Sequence, residues 1–338
     1  MTQAATSNAT SAETSYHLIP TEHWSTPSNI SRSRYHDSLD YLGSLGVGKG
    51  SLISYRHMCR WNSGFFFQHP ALQDYRYYWR VEPDVHFFCH IPYDPFSFIH
   101  ENSIVYGFNM AILEDARSFP SLWRTTLAFT HAHPEMLHPD ADLSWLVDDD
   151  EGGTYANCQF FSNFEIGSLD FFRSEASKKY FEWLDDSGGF YYERFGDAPI
   201  HTLAVALFAA RNQVWFFRDI GYQHDSARHC PAEYLRGRAS PLEGHGRKAA
   251  QRHHVGQIGR QTSGREAGRG GGERCACEPT PLDENFYRLV PMESPQRKPA
   301  DTCVRLWLGG EWLSKRDGWK RDIEVQLGGD GYGGYERG

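Results

Sequence analysis

Two rhythms of apolar and polar positions run through the chain. Tyr75-Arg76-Tyr77-Tyr78-Trp79-Arg80-Val81 is rich in aromatic residues and reads as a strand. Ile104–Ile112 and Gln213–Phe217 are two further candidate strands. Between them the apolar positions take a helical spacing. Ser174–Asp186 places Ala176, Tyr180, Phe181 and Leu184 on one face, and Gly188-Gly189 is a stop signal. A second helix is predicted from Asp197, with Pro199 in its first turn, through Ala210, and a third over Phe119–His131. Strands alternating with helices point to an α/β layered fold.

The pattern is not uniform along the 338 residues. Residues 1–16 are small and polar and read as a flexible lead. Residues 17–235 are dense in aromatics and read as one globular unit. Over 236–274 large apolar side chains almost vanish. Such a stretch cannot bury enough surface to offset its ordering entropy, so disorder is predicted there. Its nine basic and three acidic residues also suit a binding arm. Residues 275–338 regain Cys, Trp and Leu as far as about 319, which are expected to pack back on the domain, and end in a Gly-rich tail.

Aromatic residues make up 15% of the chain, enough for a large core and for stacking on sugar rings. A net charge of −9 argues against a nucleic-acid binder. Met1–Thr14 is small and polar, without the apolar stretch of a secretory leader, and no apolar run in the sequence reaches the roughly 18 residues of a membrane span. Seven cysteines are scattered without a CxxC pair. That usage fits a reduced protein or a secretory protein with a few bridges.

Four constellations suggest chemistry. Arg80-Val81-Glu82-Pro83-Asp84 ends a strand, where a carboxylate can enter a cleft and hold a divalent cation beside a diphosphate; a solvated turn is the plainer reading. Gly221-Tyr222-Gln223-His224 follows a strand, and His224 could be a second ligand or one more surface histidine. Glu165 lies in the apolar run Phe161–Ile166, where a carboxylate needs either a partner or a task. Asp197, before Pro199, is placed as a helix N-cap that could also face substrate.

Taken in order, several segments resemble the fungal Golgi α-1,2-mannosyltransferases of glycosyltransferase family 15. They are Leu18–Trp24, Ser54–Arg60, Ser63–Phe67, Tyr77–Pro83, Asn163–Ile166, Gly188–Arg194, Gly196–Pro199 and His229-Cys230-Pro231. The resemblance implies a GT-A-like α/β fold, a mixed sheet flanked by helices whose N-terminal strands would precede this chain. It also implies GDP-mannose as donor, a mannose-terminated glycan acceptor, Mn²⁺ and retention at the anomeric carbon. By that resemblance Glu82 and His224 are metal ligands, Tyr55 and Arg80 line the donor site, Glu165 is the nucleophile and Asp197 lies in the acceptor cleft. A Golgi lumenal, type II membrane protein is implied too, although no anchor is visible here. A non-catalytic glycan- or partner-binding protein is the alternative reading.

Overall fold

A computed structural model describes residues 12–147, 153–225 and 227–229, together with Cys303, Val304 and Trp307. The disorder expected over 236–274 falls outside these residues, as do most of the lead and of the C-terminal segment. The described strands are β1 (Tyr77–Val81), β2 (His86–Phe87), β3 (Tyr106–Phe108), β4 (Ala111–Leu113), β5 (Cys158–Phe160), β6 (Phe164–Ser168), β7 (Val214–Phe216), β8 (Tyr222–His224) and β9 (Ala227–His229). The described α-helices are α1 (Arg32–Ser44), α2 (Ile53–Gly64), α3 (Pro95–Glu101), α4 (Leu122–Ala132), α5 (Leu169–Phe172), α6 (Glu175–Asp186), α7 (Gly189–Tyr192) and α8 (Asp197–Phe208).

The central sheet has the order β1-β6-β3-β7. It is mixed: β6 is antiparallel to β1 and β3, whereas β3 and β7 are parallel. The order β2-β8-β9 forms a second small sheet, and β4 pairs with β5. Side chains alternate across the central sheet. One face carries Tyr106 and Phe108 into a core with Phe160, Phe172, Leu203 and Leu207. The other carries Phe164 and Ile166 into a second core with Ile99, Phe217 and Tyr222. The mixed α/β layering follows from burying both faces.

The predicted strand Tyr75–Val81 forms from Tyr77, and Gln213–Phe217 contains β7. Ile104–Ile112 is a correction: it divides into β3 and β4, which belong to different sheets. The break lies at Asn109-Met110. Asn109 is fully buried and its side-chain amide donates to the Ile220 carbonyl at 3.4 Å, while the Met110 carbonyl accepts from Phe161 N at 2.9 Å. Those bonds turn the chain off one ladder onto another, which an unbroken apolar run does not reveal. The helix from Asp197 ends at Phe208, two residues early, because Ala209 is already extended.

Helix α6 buries Tyr180, Phe181 and Leu184, the face its spacing predicts. Helix α8 is buried almost all round, so it lies inside the domain rather than on its surface. A Cys158–Cys303 disulfide, with Cα atoms 5.4 Å apart, ties β5 to a point 145 residues later. Trp307 then packs edge-on to Phe108, ring centres 5.0 Å apart.

Helix α2 ends against α6 at Gly64. A Cβ on Gly64 would lie 2.1 Å from the Phe181 ring, closer than any real contact. Gly64→Ala should therefore force apart two buried helices and cost about 1–3 kcal/mol of stability or more. A fall in the urea midpoint at unchanged slope would show it; an unchanged midpoint would mean that α6 shifts without penalty.

Candidate functional site

The site is built on the strand register. Arg80 of β1 stands directly opposite Glu165 of β6, and Phe108 of β3 stands opposite Glu165 on its other side. Side chains paired this way share one face of the sheet. That face looks toward the N-terminus of α8, so Arg80, Glu165, Asp197 and His201 meet beneath the helix.

Arg80 is the hub. Its Nη1 donates to Asp197 Oδ2 at 2.5 Å and to Ser162 Oγ at 3.3 Å, and its Nε donates to Glu82 Oε1 at 2.6 Å. Ser162 Oγ donates in turn to Asp197 Oδ2 at 2.8 Å. Burial opposes the guanidinium charge, but Asp197, Glu165 and Glu82 outweigh it and raise the Arg80 pKa. Burial likewise would raise the Asp197 carboxyl. Arg80 and His201 overcome that and hold it below its ordinary value. Asp197 is not the helix cap that its sequence position suggests. Gly196 occupies the cap position without a side-chain bond, and Asp197 is the first helical residue. Its carboxylate is drawn inward because the buried guanidinium is the stronger partner.

Glu165 is 1% exposed. Its Oε2 accepts from the Tyr106 hydroxyl at 2.8 Å and faces His201 Nδ1 at 3.0 Å. His201 Nε2 donates to the Asn62 carbonyl at 2.9 Å. Glu165, Arg80, Asn62, Trp61, Phe66 and Tyr78 line a cleft of about 460 Å³. Gly167 makes this arrangement fit. It stands opposite both Tyr78 and Tyr106, and a Cβ there would lie 2.7 Å from the Tyr78 ring. With no side chain at 167, both phenols can crowd toward the carboxylate.

The other predicted residues lie around this centre. Tyr55 is joined through Arg194, whose Nη1 donates to its hydroxyl at 3.3 Å, while Arg194 Nη2 binds Glu114 at 3.0 Å. His224 makes no hydrogen bond to Glu82. It follows Tyr222 by two residues on β8, so both side chains leave the same face, and its ring centre is 5.9 Å from that of Phe161. Burial, then the charge of Glu82, raises the pKa of the Tyr222 phenol. No cluster of three His, Cys, Asp or Glu side chains that could hold a metal occurs among the described residues.

The glycolipid 2-alpha-mannosyltransferase family matches residues 1–240. The chain belongs to this family. It is 47% identical over 225 residues to the O-glycoside alpha-1,2-mannosyltransferase omh1 of Schizosaccharomyces pombe, covering 67% of this chain and 57% of that protein. It is 46% identical over 228 residues to the alpha-1,2 mannosyltransferase KTR1 of Saccharomyces cerevisiae, covering 68% and 58%. Among solved structures it resembles core-mannan synthase A of Aspergillus fumigatus in its Mn/GDP form, with 43% identity and a TM-score of 0.66 over 68% of this chain and 63% of that one. It also resembles the mannosyltransferase Ktr4p of S. cerevisiae in complex with GDP, with 40% identity and a TM-score of 0.61 over 63% and 56%. The chain thus spans a little over half the length of the curated relatives it matches. The GT-A-like fold class expected from the sequence holds.

Three contributors were not legible beforehand: His201, Tyr106 and Gly167. His201 follows Asp197 by four residues, one turn along a helix that the sequence does show. That spacing was its only signal. Tyr106 and Gly167 depend on register alone.

Replacing Arg80 should expose how much rests on it. Arg80→Gln leaves Asp197 and Glu165 as buried carboxylates without their cation, and a loss of about 3–5 kcal/mol is expected. The Asp197 pKa lies below its ordinary 3.8 in the fold. Its contribution is therefore complete above that value in the wild type and is lost as pH falls through the folded value. Chemical denaturation at pH 7 and at about pH 2.5, below that value, should show a smaller acid dependence in the variant. An equal dependence in both would remove the Arg80–Asp197 pair from this account.

Proposed function

We propose that this chain carries the chemistry of a retaining α-1,2-mannosyltransferase, which moves mannose from GDP-mannose to a hydroxyl of a mannose-terminated N- or O-linked glycan. The observation that carries this reading is Glu165. It is a buried carboxylate at a cleft, with Oε2 tied by Tyr106 and facing His201. In transfer the bond from the anomeric carbon to the diphosphate breaks, a bond to the acceptor oxygen forms, and the acceptor hydroxyl gives its proton to the departing diphosphate. Retention needs either a carboxylate that bonds transiently to the anomeric carbon or one that steadies its positive charge while the acceptor enters on the leaving-group face. Oε1 of Glu165 suits either role, because the aromatic walls of the cleft limit water.

By the same reading we assign Tyr55 and Arg80 to the donor side of the site and Asp197 to the acceptor side. Glu82 and His224 would hold Mn²⁺. One carboxylate and one imidazole are suitable donors, and Glu82 Oε2 accepts no hydrogen bond from any described residue. With only two protein ligands, room remains for diphosphate oxygens. The ion would neutralise the leaving diphosphate. We place the protein on the lumenal side of the Golgi as a type II membrane protein. The Cys158–Cys303 disulfide supports an oxidising compartment. No helix among the described residues is long and apolar enough to cross a membrane.

The decisive assay supplies GDP-mannose, Mn²⁺ and an α-mannoside acceptor. Glu165→Gln should fold and bind GDP as the wild type does, while kcat falls at least about 10²-fold. Near-normal turnover would make Glu165 a core residue. Trapping of a mannosyl adduct on Glu165 would select the covalent route. In calorimetry, His224→Ala should weaken GDP binding in the presence of Mn²⁺ and leave the weak metal-free binding unchanged; equal metal dependence in both proteins would refute the ligand assignment.

A further inference from the structure

We infer that His201 is a positioning residue that stands as an imidazolium against Glu165, holding Oε2 of that carboxylate and turning Oε1 to the cleft. This rests on the functional reading above for its consequence, but not for its geometry.

Both ring nitrogens of His201 are committed. Nε2 lies 2.9 Å from the Asn62 carbonyl, which can only accept, so Nε2 carries a proton. Nδ1 lies 3.0 Å from Glu165 Oε2. The second proton of this pair therefore sits either on Nδ1, giving an ion pair, or on Glu165, giving two neutral groups. His201 and Glu165 are each 1% exposed, so water does not settle the matter and the neighbours must.

Those neighbours favour the ion pair. Arg80 stands opposite Glu165 in the sheet register and places a cation on the same face. The Tyr106 hydroxyl donates to Oε2 at 2.8 Å, so that oxygen is already an acceptor. On the histidine side, Asp197 lies one helical turn away and adds a second negative charge. Arg80 opposes the imidazolium, as does burial, yet Glu165 and Asp197 together outweigh them and raise the His201 pKa. Tyr78 also faces Glu165, but as a neutral phenol whose ionisation burial suppresses first and Glu165 second. The ring itself is fixed by Phe172, with centres 4.7 Å apart, and by Phe66 at 6.2 Å.

The consequence concerns which oxygen reacts. Tyr106 and His201 both address Oε2, so the carboxylate cannot rotate without losing both contacts. Oε1 is thereby presented to the cleft with its charge intact. A neutral His201 would leave the proton on Glu165 and remove the charge needed at the anomeric carbon. A nearby histidine that merely packed would have no such effect.

The test begins with the 338-residue chain labelled with ¹⁵N-histidine, with His201→Gln used to assign the signal. The His201 ring should show two protonated nitrogens at pH 7 and stay charged above the pH near 6.5 at which exposed histidines titrate. A ring with one proton at pH 7 overturns the inference. In the transfer assay, His201→Gln should lower kcat by about 10- to 100-fold, the scale of a hydrogen bond to a charged group. KM for the acceptor and affinity for GDP should hold, and the alkaline limb of the wild-type kcat profile, where His201 loses its proton, should vanish. Unchanged kcat, or a retained alkaline limb, overturns the role. Should His201→Gln fail to fold, Tyr106→Phe keeps the ring packing and removes the other donor to Oε2, and a kcat equal to wild type in that variant also refutes the clamp. A wild-type chain that transfers no mannose overturns the functional reading of Glu165, while the NMR result still decides the ion pair.

Discussion

The Arg80 guanidinium is the charge on which the rest of the site depends. A cation enclosed beneath a helix survives only if carboxylates answer it from several directions. Asp197 answers from α8, Glu82 from the strand end, and Glu165 from across the sheet. Each carboxylate in turn would be costly to bury without Arg80. The site is therefore a single electrostatic unit whose members cannot be exchanged independently. Counting His201 as charged, two cations face three carboxylates. The surplus negative charge lies toward Glu82, the most exposed of the three carboxylates.

Around that unit the fold contributes position more than charge. The antiparallel pairing of β1 with β6 sets Arg80 against Glu165, and the empty side of Gly167 admits two tyrosines beside the carboxylate. Helix α8 is buried nearly all round, so a residue one turn after Asp197 must find a partner inside the protein. His201 finds two, in Glu165 and the Asn62 carbonyl. Side chains held by buried strands and a buried helix are less free to drift than side chains held on loops.

The site also has a wet end and a dry end. Glu165 and His201 are enclosed with aromatic rings, which strengthens every charge interaction there. Glu82 and His224 are partly exposed.

By itself the sequence determined the local elements and the residue types at the site. Aromatic strand runs, the apolar spacing of Ser174–Asp186 and the Pro199 start signal are short-range features, and short-range physics is enough to read them. Arg80, Glu82, Glu165, Asp197, Tyr55 and His224 were selected from local motifs and family likeness. Which of them touch was decided only by tertiary structure. Arg80 and Asp197 are 117 positions apart, and Tyr106 and Glu165 are 59 apart. No local rule links such residues, because a one-residue slip in strand register would send Glu165 to the opposite face. Asp197 shows the same limit from the other side. Its local preference is to cap a helix, and a buried guanidinium from a distant strand overrides it, since pairing an enclosed charge is worth more than one backbone cap.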